Sequence, residues 1–443
     1  MDDTRALSPS ERWYWIADQL APLTVCARVR LEGDPSSETL TRALGALQAR
    51  HPLLRVAVRT NPAGGDPHFV PTGRAIPLRE VVLYRADEER WAREADEQEL
   101  PTPIDWRRGP LSRAVVIRQP DGVNDLIFAI PHYIADATTA VVLLREWVRL
   151  AADRPERSAS APHGDRGSVT PPVEAAFPAR FRRLPGTLPN KAAAEETSGP
   201  AGAEMGRLEA ERFVPFDRRR TRLLHRSIPG DALEGLALAC KRNGVSMHGL
   251  LAAALVSAVA RDAAGSPATH FAVGSPISIR DELDPPVPED EVGAYASALP
   301  SAVRYRPDDP WTMARDIARD LAERRDLGEH FAAAGILEEL GPATVAESEP
   351  FVRYMEEHGP FNFYFSNLGR FDFPAEIGGW RLSGATFCGG ISVVGYFASV
   401  AISCHDQMSW NFTYVEGAIS RDRAERLAGN TIDIALAAAE TVE

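Results

Sequence analysis

One stretch constrains the fold of this chain more than any other: Asp125-Leu-Ile-Phe-Ala-Ile-Pro-His-Tyr-Ile-Ala-Asp-Ala-Thr-Thr139. Residues 126–130 are wholly apolar and follow the turn signal Pro120-Asp121-Gly122, which predicts a strand buried on both faces. Pro131 takes the chain out of the sheet. From 138 to 150 the pattern becomes helical, with Ala140, Leu144, Trp147 and Ala151 on one stripe and Arg145, Glu146 and Arg149 mostly off it. His132 and Asp136 therefore fall in a strand-to-helix turn, where an imidazole can stand at the mouth of a cleft while both flanking elements stay rigid. General-base catalysis is one reading. Two others stay open on these residues alone: Asp136 as the N-cap of the following helix, and His132 as a buried, hydrogen-bonded core histidine.

At 443 residues the chain has room for two or three domains, or for two large halves that share a cleft. A net charge of -13 excludes a sequence-independent nucleic-acid binder, because nothing offsets phosphate repulsion. Cys26, Cys240, Cys388 and Cys404 show no Cys-x-x-Cys spacing, so no metal site is expected. The acidic N-terminus lacks the apolar core of a signal peptide, and no apolar run approaches membrane-spanning length. The expectation is a cytoplasmic protein with no membrane and no nucleic-acid partner.

In the first half, Ser8-Pro-Ser-Glu opens a helix, and 25–31 alternates apolar and charged residues as a half-exposed strand does. A helix with Leu40, Ala43, Leu44 and Leu47 on one stripe ends at Arg50-His51-Pro52. Residues 53–58 resume as strand, and 111–117 pairs by hairpin with the 126 strand. Three of these segments, Ala43-Leu-Gly-Ala-Leu-Gln-Ala-Arg-His-Pro-Leu-Leu-Arg55, Gly109-Pro-Leu-Ser-Arg-Ala114 and Pro131-His132-Tyr-Ile-Ala-Asp136-Ala137, together resemble successive signatures of the condensation-domain superfamily. That group includes chloramphenicol acetyltransferase, nonribosomal-peptide condensation domains and polyketide-associated acyltransferases, and its mark is His-His-x-x-x-Asp-Gly. The chain departs from the mark twice: Pro131 replaces the first histidine and Ala137 the glycine.

Residues 153–205 are rich in Ala, Pro, Gly, Ser and charge, and read as a crossover linker with a short docked element around Phe177 and Phe181. It divides an N-terminal subdomain, 1–152, from a C-terminal one, 206–443. The run Arg218, Arg219, Arg220, Arg222 reads as a solvated strand face ahead of a phosphate-attracting cluster. Ser246 caps an alanine-rich helix on which His248 reads as structural. Residues 271–280 form an apolar strand ending in Arg280, and the resemblance implies that Arg280 meets Asp136 as a bidentate pair that pins the His132 loop. Residues 361–370 alternate in aromatic character and close on Ser366-Asn367-Leu368-Gly369. Ser366 and Asn367 are candidates for substrate or oxyanion contact, as is Tyr133, and turn-capping is the equal alternative for the first two.

The resemblance runs from about residue 8 to residue 440. It implies an α/β (α+β) fold of two chloramphenicol-acetyltransferase-like subdomains in a V with a central tunnel. His132 would be the general base for acyl transfer from a thioester to a hydroxyl or amine acceptor in specialised metabolism, without an acyl-enzyme. No cofactor is expected to stay bound. An acyl-CoA or a phosphopantetheinyl carrier-protein thioester would be the co-substrate, a small molecule the acceptor, and a carrier protein a partner. The alternative is a condensation-like scaffold with a degenerate motif that binds a carrier protein or cyclises a substrate in the same tunnel.

Overall fold

The structure is a computed structural model that describes residues 4–153, 169–181, 205–263, 265–391, 393 and 395–440. Most of the expected linker, 154–168 and 182–204, lies outside the described residues. Its docked element is seen: Phe177 and Phe181 pack on Phe331, with ring centroids 4.8 and 5.0 Å apart.

The first helix, α1 (Pro9–Leu20), starts where the capping signal predicts. Ser8 accepts the Glu11 N–H, the Glu11 carboxylate accepts the Ser8 N–H at 2.8 Å, and Pro9 occupies a first-turn site that needs no donor. The chain then builds β1 (Thr24–Glu32), β2 (Arg113–Arg118) and β3 (Val123–Pro131), and leaves β3 for the helix α2 (Ala137–Ala152). β1 and β2 both pair antiparallel with β3, which confirms the hairpin and puts the apolar run in the middle of the sheet. Val25, Ala27, Val29 and Leu31 of β1 join the core formed with α1 and α2.

The other face of β1 differs from expectation. Arg28 is buried rather than half-exposed, because Trp91 and Leu223 cover that face. Its guanidinium is ion-paired with Asp125 and lies over the Trp91 ring at 4.8 Å. Arg145 of α2 is likewise buried, donating to the Asp372 carbonyl at 2.7 Å.

The second sheet is built from β4 (Thr221–Pro229), β5 (His270–Ser278), β6 (Ala296–Arg304), β7 (Phe363–Arg370), and, after β8 (Trp380–Gly389), β9 (Phe397–Cys404) and β10 (Gln407–Val415). Among the described residues its strand order is β6-β5-β7-β9-β10-β4, with Met205–Gly206 beside β5. The helices α3 (Met247–Asp262) and α4 (Arg421–Glu440) back it, and α3 is almost wholly buried through its small residues. The last hairpin opens at Phe397, later than the 393 expected. The two helices Glu329–Leu340 and Val345–His358 went unread in the sequence.

β8 does not stay with its own half. It pairs antiparallel with β1, Cys388 opposite Cys26 and Arg381 opposite Glu32, and so joins the first sheet across the boundary expected near 205. The arginine run also differs: Arg219 is buried in a two-point pair with Glu356, and Arg222 meets Asp96 at 2.8 Å. Carboxylates claim two of its cations, while Arg218 and Arg220 are exposed, so the solvated-face reading holds for half of the run. No single helix among the described residues is long and apolar enough to cross a membrane.

Candidate active site

His132 sits one residue past the end of β3, half-buried, with its N–H donating to the Leu23 carbonyl at 2.9 Å. That bond fixes the backbone from which the imidazole projects. The ring lies flat against Tyr14 of α1, with centroids 4.6 Å apart and planes 5° from parallel. Nδ1 is buried with no hydrogen-bond partner on another described residue. Burial pulls the imidazole below its ordinary pKa of 6.5, while its own main chain and the Asp136 charge pull the other way. The neutral form, the one that accepts a proton, is the form this environment favours.

Asp136 fulfils the capping reading and the pairing reading together. One carboxylate oxygen accepts the Thr139 N–H at 2.7 Å and caps α2, and the other accepts the Tyr295 N–H at 2.9 Å from the second half of the chain. Arg280 is buried beside it, yet the expected bidentate pair is absent: a single guanidinium nitrogen stands 3.7 Å from the carboxylate. Both Asp136 oxygens are already taken by backbone donors. Arg280 instead donates to the Thr139 hydroxyl at 2.7 Å and to the carbonyls of Pro288 and Glu291 at 2.8 and 3.0 Å. Thr139 hands the chain of bonds on to the Gly293 carbonyl at 2.7 Å. The loop bearing His132 is thus tied to the 280–295 segment by a network rather than by one ion pair. No hydrogen bond joins Asp136 to the imidazole among the described contacts, so its influence on the ring is by charge.

Ala137 takes the place of the motif glycine without strain. It is the first residue of α2, and the described non-glycine residues with positive φ are Asp66, Asp121, His405 and Asp406.

Of the substrate candidates, Tyr133 has its side chain fully buried in the core of the first half, in the cluster against which Tyr14 also packs. Burial and the Asp18 charge hold the Tyr133 hydroxyl well above the ordinary phenol range. Asn367 serves the bend it stands in, accepting the Gly369 N–H at 2.8 Å, which is the capping alternative. Ser366 shares its strand face with Tyr364, opposite the face on which Phe363 and Phe365 enter the core. His248 bonds the Ser275 hydroxyl at 3.0 Å and stacks on Phe365, with burial lowering its pKa to about 4, which suits a structural residue.

Two tyrosines went unread in the sequence. Tyr14 is one. Tyr364 is the other: its hydroxyl is raised by burial and by the nearness of Tyr14, which puts β7 close to α1 and His132. The run Trp13-Tyr14-Trp15 in α1 was the available signal.

Comparisons with known proteins agree with this architecture. Residues 231–371 match the family described as phthiocerol/phthiodiolone dimycocerosyl transferase C-terminus. The chain is 24% identical over 342 residues to the phosphinothricin tripeptide synthetase PhsC of Streptomyces viridochromogenes, covering 72% of this chain and 30% of the synthetase. It is 29% identical over 146 residues to the AMB antimetabolite synthetase AmbB of Pseudomonas aeruginosa, 32% of this chain and 12% of that protein. The chain therefore spans less than a third of the length of either relative.

Three solved structures share the fold over nearly the whole chain. The TRI3 trichothecene 15-O-acetyltransferase of Fusarium sporotrichioides superposes with a TM-score of 0.74 at 15% identity, covering 98% of this chain and 95% of that one. The first condensation domain of the calcium-dependent antibiotic synthetase gives 0.70 at 15%, over 99% and 96%. The X-domain from teicoplanin biosynthesis gives 0.64 at 18%, over 98% and 95%. This chain therefore shares the fold of these condensation-domain and acetyltransferase structures.

Proposed function

We propose that this protein transfers an acyl group from a thioester to a hydroxyl or amine, with His132 as the general base. The observation that carries this reading is the imidazole itself: biased to its neutral form, projecting from a turn pinned at both ends, and flat against Tyr14 with part of its surface accessible. A base of that kind takes the acceptor proton as oxygen or nitrogen attacks the thioester carbonyl, and the thiol leaves. A thioester is already activated, so holding two substrates in register supplies much of the remaining acceleration. Ser366 and Tyr364, on the strand face near α1, are the side chains of this chain best placed to orient them. In this reading the donor is an acyl-CoA or a carrier-protein thioester.

A second reading has specific support. Pro131 and Ala137 depart from the motif, and the same scaffold serves as the X-domain of teicoplanin biosynthesis and the epimerization domain of tyrocidine synthetase. In that reading the chain binds a carrier protein or cyclises a substrate. Incubation with a panel of acyl thioesters, with and without added amines and alcohols, separates the two. Acceptor-dependent release of free thiol with a new ester or amide supports transfer; a panel that yields neither product supports the second reading.

A further inference from the structure

A second site lies on a small sheet in the first half. Among the described residues, Arg5–Ala6, His68–Pro71 and Val56–Arg59 form three strands, with Ala57 opposite Val70 and Arg59 opposite His68. Val56 and Val58 enter the core, which turns Ala57 and Arg59 to the other face. On that face is an open groove of about 350 Å³ lined by four exposed arginines, Arg59, Arg74, Arg107 and Arg108, over a floor of Thr72 and apolar residues.

No carboxylate lines this groove. Asp105 stands behind the loop: it is 3.7 Å from Arg108, and it accepts the N–H groups of Arg107 and Arg108 at 3.2 and 3.3 Å. Beside Arg59, His68 lies 3.8 Å from the exposed Asp66. Among the described residues, Arg59, Arg74 and Arg107 have no ion pair, in a chain of net charge -13 whose arginines elsewhere, such as Arg28, Arg113 and Arg118, meet carboxylates. The walls are also held. Arg107 lies over the Trp106 ring at 4.0 Å, Trp106 meets Trp15 edge-on at 5.1 Å, and the Thr72 hydroxyl donates to the Arg108 carbonyl at 3.0 Å.

We propose that this groove binds a phosphate ester of nucleotide size, its phosphate groups shared among the guanidiniums. Guanidinium forks match phosphate oxygens two at a time and stay charged at every physiological pH. Small-ligand pockets run from about 300 to 1,000 Å³, a range that admits a bisphosphate. The inference stands apart from the chemistry at His132.

Calorimetric titration of the full chain at low salt tests it, with adenosine 3′,5′-bisphosphate, coenzyme A and inorganic pyrophosphate as probes and sulfate as the control. The bisphosphate should bind roughly tenfold or more tightly than sulfate, and the double variant Arg59→Gln/Arg107→Gln should lose about tenfold or more of that affinity. The variant Arg315→Gln/Arg319→Gln, at exposed arginines on the helix Pro310–Asp326, should bind as the parent does. Coenzyme A matching the bisphosphate points to a coenzyme as the source of the phosphates and supports the site, whereas pyrophosphate matching it shows that the nucleoside adds nothing and overturns a ligand of nucleotide size. Affinity no better than for sulfate, or unchanged in the arginine double variant, overturns it.

Discussion

At the scale of single residues, the contact that most shapes His132 is its stack on Tyr14. An offset aromatic pair contributes about 0.5–1.5 kcal/mol beyond the area it buries, enough to hold one ring orientation against its neighbours. Tyr14→Phe keeps the stack and should turn over close to the parent. Tyr14→Leu should lower kcat by about 2- to 10-fold and move the imidazole resonances of His132 in NMR spectra. Leu turning over like Phe, with those resonances unmoved, would remove Tyr14 from the site. His132 and Asp136 were legible because spacing and the strand-to-helix switch are local. Tyr14 was not, since which residue of α1 meets the imidazole is decided by how the helix docks.

At the scale of elements, the start of α2 is where the two halves of the chain are tied. Asp136 caps the helix, receives the Tyr295 N–H from the second half, and stands beside the buried Arg280, whose guanidinium bonds Thr139. Removing the carboxylate leaves a desolvated cation and two backbone donors without partners. Asp136→Ala should therefore destabilise the protein by about 3–5 kcal/mol in urea unfolding. A loss below about 1 kcal/mol, the cost of an ordinary cap, would mean that Arg280 takes no part. The family resemblance implied that Arg280 lies beside Asp136, and the structure places it there. The bond pattern was not readable, because the competing donors, the N–H groups of Thr139 and Tyr295, belong to backbone whose path only the tertiary fold sets.

At the scale of the whole molecule, the two sheets are not independent bodies. β8 leaves the second half to pair with β1 of the first, and Asp96 of the first half accepts the Leu223 N–H at 2.7 Å from β4. Without β8, the β1 edge would expose a row of unpaired backbone groups. Residues 1–205 expressed alone should be aggregated or poorly structured, judged by light scattering and circular dichroism, and should become soluble when co-expressed with 206–443. A monomeric, cooperatively folded 1–205 would contradict this. Much of the plan was legible from periodicity and caps, but the helices Glu329–Leu340 and Val345–His358 and the strand β8 were not. The strand exchange was not legible, because a strand's local pattern says nothing about which sheet receives it.

The central claim is that the His132 imidazole moves the proton in acyl transfer. Its most direct test is single-turnover release of thiol from an acyl thioester accepted by the parent, compared with His132→Ala over a range of pH, with circular dichroism showing the variant folded. A general base is worth roughly 10²–10⁴ in rate, so the variant should lose that much, and the acid limb of the parent profile should fall below pH 6.5, the side to which burial moves this imidazole. A folded variant that releases thiol at the parent rate, or a parent rate that does not fall in acid, would contradict the account.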